Sequence, residues 1–139
     1  MADITTITFE GEDAPGTQGG RIKQALDDAL TGKHKLSEDI AAIEGMSGQL
    51  YRRLINNLVA LTPDARYLET GSLKGSTSCS AMYKNRVTAT CIENFHWDYR
   101  DLFYKNTKCN SRFIFRVSSQ VKVFHVKLIL VLKNFIENY

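Results

Sequence analysis

Two acids and two glycines near the middle of the chain have types and a spacing that suit a small polar ligand. The stretch Glu69-Thr70-Gly71-Ser72-Leu73-Lys74-Gly75-Ser76 sets a carboxylate two residues before one glycine, with the second glycine four further on. Gly71 can turn the chain sharply through φ > 0, and without a Cβ it lets a ligand touch the backbone. Gly75 allows close packing where the next helix starts. Backbone N–H groups at a helix start can receive an anion such as a carboxylate. Glu69 can accept hydrogen bonds from a cationic amino group. Ser72, Lys74 and Ser76 fall inside the same stretch, and Lys74 is placed to touch a carboxylate or to stay solvated. Glu93, followed by Asn94, lies 18 residues after Gly75. In a βαβ unit an acid at that place reaches the ribose hydroxyls of a bound nucleoside, and one carboxylate can accept from both.

The spacing narrows the choice of nucleoside. A dinucleotide fingerprint needs G-x-G-x-x-G, and a P-loop needs G-x-x-x-x-G-K-[ST]. Here the glycines stand as G-x-x-x-G, and Gly75 is followed by Ser76, so neither motif fits. The order E-x-G-x-x-x-G after a strand, with an acid after the next strand, resembles the S-adenosylmethionine (SAM) motif of class I methyltransferases. The upstream residues extend the likeness. Gly45-Met-Ser-Gly48, Tyr51-Arg-Arg-Leu-Ile-Asn-Asn-Leu58 and Ala65-Arg-Tyr-Leu-Glu-Thr-Gly71 resemble the opening of a bacterial-type domain of that family. The resemblance runs from Gly45 to Phe95, about a third of the chain.

The resemblance implies a SAM cofactor, held by Glu69, Gly71, Ser72, Lys74, Gly75, Ser76, Glu93 and Asn94. Its carboxylate would lie near the helix start, its amino group near Glu69 and its ribose on Glu93. It implies methyl transfer to an acceptor, with a small molecule favoured. The sulfonium methyl is already activated, so such a protein chiefly aligns donor and acceptor. No catalytic base can be assigned. Past residue 100 the family pattern is lost. Ser118, Ser119 and Gln120 stand where a polar or acidic adenine contact is often found, and Lys133-Asn134-Phe135 where an Asp-rich segment is usual. The expected reading is therefore the cofactor-binding half of a methyltransferase, with a short or truncated C-terminal part. The alternatives are a non-catalytic fragment or binding module, paired with a second copy across an uncovered sheet edge, and a basic-tailed nucleic-acid binder.

These residues need elements to hold them. Residues 1–20 read as a flexible leader ending in the turn-forming run Gly11 to Gly20. Residues 21–62 read as N-terminal helices. Ile22, Ala25, Leu26, Ala29 and Leu30 share one face, and Gly32 is a stop. Ser37 suits an N-cap, and Ser47 suits another. After Ser47 comes a stripe of Leu50, Leu54, Leu58 and Leu61, with Arg52, Arg53, Asn56 and Asn57 off it and solvated. Residues 63–139 read as a partial Rossmann-like SAM-binding domain. Strands are expected over 65–69, 87–92, 112–117 and 127–132, with helices over 76–83 and 97–107. The alternation gives an α/β fold with a parallel sheet. It has about four strands, incomplete against seven in the family, and is preceded by N-terminal helices.

Composition sets the outer bounds. The chain of 139 residues suits one domain. The longest apolar run, Leu128 to Leu132, is far too short to cross a bilayer, and the N-terminus lacks a secretory pattern. Cys79, Cys91 and Cys109 have no metal-like spacing, so reduced thiols, no metal and a cytoplasmic location are expected. Residues 1–101 hold 11 Lys and Arg against 14 Asp and Glu, a net of −3, whereas residues 102–139 hold 7 against one, a net of +6. Those tail cations are scattered among apolar residues, which argues against a nucleic-acid arm. His34, His96 and His125 are dispersed, and none has a nucleophile partner. His96 is the one near Glu93.

Overall fold

A computed structural model describes residues 11–93 and 98–107. Thr17 caps the first helix, α1 (Gln18–Leu30), by accepting the Gly20 N–H on its hydroxyl at 3.0 Å. That cap lets the helix begin before the end of the turn-forming run. Ala25, Leu26 and Ala29 are buried as the spacing predicts, while Leu30 is exposed. The chain leaves α1 through Gly32 and reaches a single turn, α2 (Glu38–Ala41), with Ser37 at its start. Next come α3 (Gln49–Leu61), β1 (Arg66–Thr70), α4 (Ser76–Met82), β2 (Thr88–Ile92) and α5 (Arg100–Thr107). None of the described helices is long and apolar enough to cross a membrane.

The βαβ unit is present. Strands β1 and β2 pair in parallel, from Arg66 opposite Thr88 to Thr70 opposite Ile92. The four-stranded Rossmann-like sheet is not what is found. Among the described residues the sheet has two strands, and five helices dominate. The expected strands over 112–117 and 127–132 lie outside the described residues. Each added parallel strand needs a crossover of about a dozen residues or more. The segment from 71 to 87 provides one such crossover, and the next described element after β2 is the helix α5.

The larger surprise is the set of side chains that α3 buries. Its leucine stripe is only partly covered, whereas Arg52, Asn56 and Asn57 are buried. The amphipathic pattern predicts them solvated. They are buried because they face backbone carbonyl rather than hydrocarbon. Asn56 Nδ2 donates to Ser80 O at 2.8 Å and to Tyr83 O at 3.0 Å, at the C-terminal end of α4, and its Oδ1 accepts the Lys35 N–H at 3.1 Å. Asn57 donates to Lys33 O at 2.8 Å. Arg52 Nη1 donates to Ala41 O and Ile43 O, at 3.0 and 2.7 Å. Ser47 does not cap α3. Gly48 holds that position, and the Ser47 hydroxyl accepts from Arg52 Nε at 3.1 Å and meets Thr77 Oγ1 at 2.9 Å.

The apolar core is correspondingly small. One cluster joins Leu36, Ile40 and Cys79, with Ile43 and Tyr83 against it. The other joins Ala81, Met82 and Ala89, packed by Ile55, Val59, Tyr67 and Val87. The second fastens α3 and α4 onto one face of the sheet. Asn56 should therefore be a tie of unusual weight. Asn56→Ala strands two buried carbonyls and should lower the unfolding free energy by about 2–3 kcal/mol. Urea denaturation of the variant checks this, and a loss under about 0.5 kcal/mol would mean that the carbonyls find other partners.

Candidate functional site

The parallel register brings both acids to one end of the sheet. Glu69 sits opposite Cys91, and Thr70 opposite Ile92, so Glu93 comes directly after the strand end beside β1. The glycine loop 71–75 leaves that same edge. Gly71 adopts φ +76°, and its N–H donates to Ile92 O at 2.8 Å, which seals the loop to β2. Glu93 reaches over the loop, where its Oε2 accepts the Leu73 N–H at 2.6 Å. Leu73 itself has φ +50°, an uncommon conformation for a residue with a Cβ. The loop closes with Gly75 N donating to Ser72 O at 2.7 Å. Three of its N–H groups are thus taken within the protein.

Gly75 is a glycine for two separate reasons. Its φ is +82°, and a Cβ there would lie 3.1 Å from the Phe103 ring and 3.3 Å from Thr107. Helix α5 thus presses on the start of α4, and Asn106 Nδ2 adds a hydrogen bond to Lys74 O at 2.8 Å. Gly71 differs, since a Cβ built on it would meet nothing within 4 Å. Among the described residues, the space in front of Gly71 is therefore open. On the other flank Ser76 is buried against Gly45, where a Cβ would overlap the Ser76 hydroxyl.

The site residues expected from sequence divide accordingly. Glu69, Gly71, Ser72, Gly75 and Glu93 come together around the loop. Ser72 is buried, with its Oγ turned toward Glu69 and Cys91. Lys74 turns away. Its Nζ lies 2.6 Å from Glu44 Oε2 and 4.5 Å over the Tyr99 ring, with the side chain mostly buried. Ser76 faces Gly45 rather than the space before Gly71. Asn94 and His96 lie outside the described residues. His34 is a turn residue whose Nδ1 accepts the Leu36 N–H at 3.1 Å. Cys79 is buried core.

Electrostatics at Glu69 are set by burial, which raises its pKa above the ordinary carboxylate value. Hydrogen bonding from Ser72 and Tyr67 opposes the rise, and the nearby Glu93 charge adds to it. Ser78 on α4 donates its hydroxyl to Glu69 Oε2 and receives the Cys91 thiol at 3.3 Å. Burial, reinforced by Glu69, also raises Tyr67 and Cys91, so both stay protonated. Tyr67 and Ser78 were missed in the sequence. Tyr67 carried a signal, because residues i and i+2 of a strand share a face. Ser78 carried none, since only the docking of α4 aims it at Glu69.

The chain matches no known protein family, no characterised protein and no solved structure. The loop geometry gives its own test. Gly71→Ala should cost only the left-handed backbone penalty, about 1–2 kcal/mol. Gly75→Ala should cost clearly more, because its methyl also meets Phe103. Denaturant titration of both variants checks the ranking; equal costs would show that α5 yields freely.

Proposed function

We propose that the loop 69–75 with Glu93 binds S-adenosylmethionine, and that the chain carries the cofactor-binding half of a methyltransferase acting on a small-molecule acceptor. The observation that carries this reading is the convergence of two carboxylates, one largely buried, on a single glycine loop, with space before Gly71 that no described residue fills. A buried acid without a cationic partner is costly. Among the described residues no Lys or Arg forms an ion pair with Glu69. A ligand with an ammonium group would offset that cost.

The residues fit the cofactor in three places. Glu69 would hold the cationic amino group. Glu93 would accept from ribose hydroxyls while keeping the Leu73 N–H. The carboxylate would lie near the start of α4, where the resemblance places it. When bound, the cofactor supplies a methyl group already activated on a sulfonium. The protein's task is to fix the donor, exclude water and leave the acceptor an open approach. Gly71 provides the opening, and the clamp of α5 on Gly75 provides the rigidity. Cys91 is a buried thiol, which fits a reducing, cytoplasmic setting.

Calorimetry with SAM and S-adenosylhomocysteine on the 139-residue chain tests the reading. Micromolar binding is expected, with a loss of about ten-fold or more on Glu93→Gln. That substitution keeps an acceptor for Leu73 N but removes the charge. No binding by the folded chain would overturn the proposal.

The pH dependence comes from Glu69. Its pKa is raised in the free protein, so near and above the usual carboxylate range a fraction of the chains carries a proton there. An ammonium group favours the ionised form. Ligand binding should therefore release protons, and affinity should rise as pH climbs through the raised value and then level off. Titrations in buffers of different ionisation enthalpy read the proton release directly. It should vanish in Glu69→Gln, and its persistence there would assign the titration to another group.

A further inference from the structure

The other end of the sheet has the opposite character. A groove of about 950 Å³ opens at the N-terminal ends of β1 and β2, between the end of α3 and the turn after α4. Lys35, Arg66, Lys84 and Arg86 line it, and among the described residues Asp64 is its single acid. Its floor is apolar, with Val59, Met82 and Val87.

Two further observations separate this groove from an ordinary solvated basic face. No carboxylate among the described residues pairs with any of the four cations, whereas Lys23, Lys33 and Lys74 all have acidic partners. Lys35 is also held in place. Its Nζ donates to Asn85 Oδ1 at 2.8 Å and Lys84 O at 3.3 Å, neutral acceptors that position the ammonium without cancelling its charge. The four cations come from three separate segments, namely the loop before α2, the start of β1 and the α4–β2 turn. Chain folding, and no local run of sequence, brings them together.

We propose that this groove is a second ligand site, for a small molecule bearing several phosphate groups. The charge calls for an oligoanion, because one carboxylate or phosphate would leave most of the cations unmatched. The volume falls within the range of about 300–1,000 Å³ typical of small-molecule sites, and all four cations line this one groove. Arg66 and Arg86 supply planar donor forks suited to phosphate oxygens. The apolar floor accommodates the uncharged part of such a molecule. The site is independent of the glycine loop, which leaves the sheet at its other end.

The test is calorimetric titration of the full chain with inorganic tripolyphosphate at low ionic strength. Saturable binding at one site is expected. Arg66→Ala combined with Arg86→Ala should weaken it by about ten-fold or more. Lys23→Ala combined with Lys105→Ala removes the same charge outside the groove and should change it by less than about two-fold. Far-UV circular dichroism confirms folding. Should the first double variant fail to fold, Lys35→Gln takes its place, with the same loss expected in direction. Absence of binding, or equal losses from both double variants, overturns the proposal by showing only diffuse attraction to a basic chain. A single-stranded oligonucleotide of matched charge is titrated in parallel. If it binds more tightly than tripolyphosphate and responds to the same groove variants, the small-molecule assignment is overturned in favour of nucleic acid.

Discussion

The structure depends on the burial of amide and guanidinium groups along one face of α3. A helix as short as α4, with four hydroxyl residues among its seven, has little intrinsic tendency to persist alone. It holds because its ends are tied. Asn56 takes the carbonyls of Ser80 and Tyr83 at one end, and Asn85 Nδ2 bonds back to both Asn56 O and Ala81 O. At the other end Arg52 positions Ser47, which meets Thr77. Each of these groups would be costly to bury without partners, and each finds them. The arrangement gives direction as well as stability, because a hydrogen-bonded amide tolerates far less sliding than a leucine contact would. The docking of α4 on the sheet is therefore fixed in register and rotation.

That register matters at the glycine loop. Ser78 points at Glu69 only when α4 is correctly rotated, and Gly75 accepts Phe103 only when the first turn lies at the right depth. The Glu93 charge adds to the cost of ionising Glu69, and Glu93 itself accepts the Leu73 N–H. Glu69 receives hydroxyl groups in place of a cation. Hydroxyls solvate a carboxylate less well than water or an ammonium does, which leaves Glu69 ready for a charged partner. This combination of a rigid backbone and an incompletely compensated acid suits recognition better than it suits simple turn formation.

Much of this is legible in the sequence, and the illegible part has a common cause. Periodicity places α1, the strand pair and the helix between them to within a few residues, because apolar spacing and β-branched runs are local signals. The glycines and both acids stand out for the same reason. The polar face of α3 misleads, since a helical wheel tells which residues share a face but not whether that face meets water or carbonyl groups. Arg52 and Asn56 look solvated on any hydropathy scale. Two of the four expected strands rest on apolar runs beyond residue 108, outside the described residues, and the described chain completes one crossover. Lys74 sits in the glycine motif yet pairs with Glu44, a partner brought near by the loop before α3. The basic groove leaves no trace in sequence at all, because its cations are distributed over some fifty residues from Lys35 to Arg86.

The two ends of the sheet are electrostatically opposed. Acids gather at the C-terminal edge, and at the N-terminal edge lie cations that have no acidic partner among the described residues, yet each strand has only five residues. The separation is about 16 Å at the usual rise per residue. This exceeds the screening length of about 8 Å at physiological ionic strength, so the ends do not neutralise one another through solvent. Nor does the backbone account for the polarity, because a two-stranded sheet has only a small net dipole. It arises from side chains placed at the two ends of β1 and on the segments beside them. A domain that merely needed a stable turn would gain by pairing these charges across its surface, as Lys23 pairs with Asp27 and Lys33 with Asp28. Keeping them apart forgoes that attraction at both ends. The separation is intelligible if each end meets charge from outside the chain, an ammonium at the acids and an oligoanion at the cations.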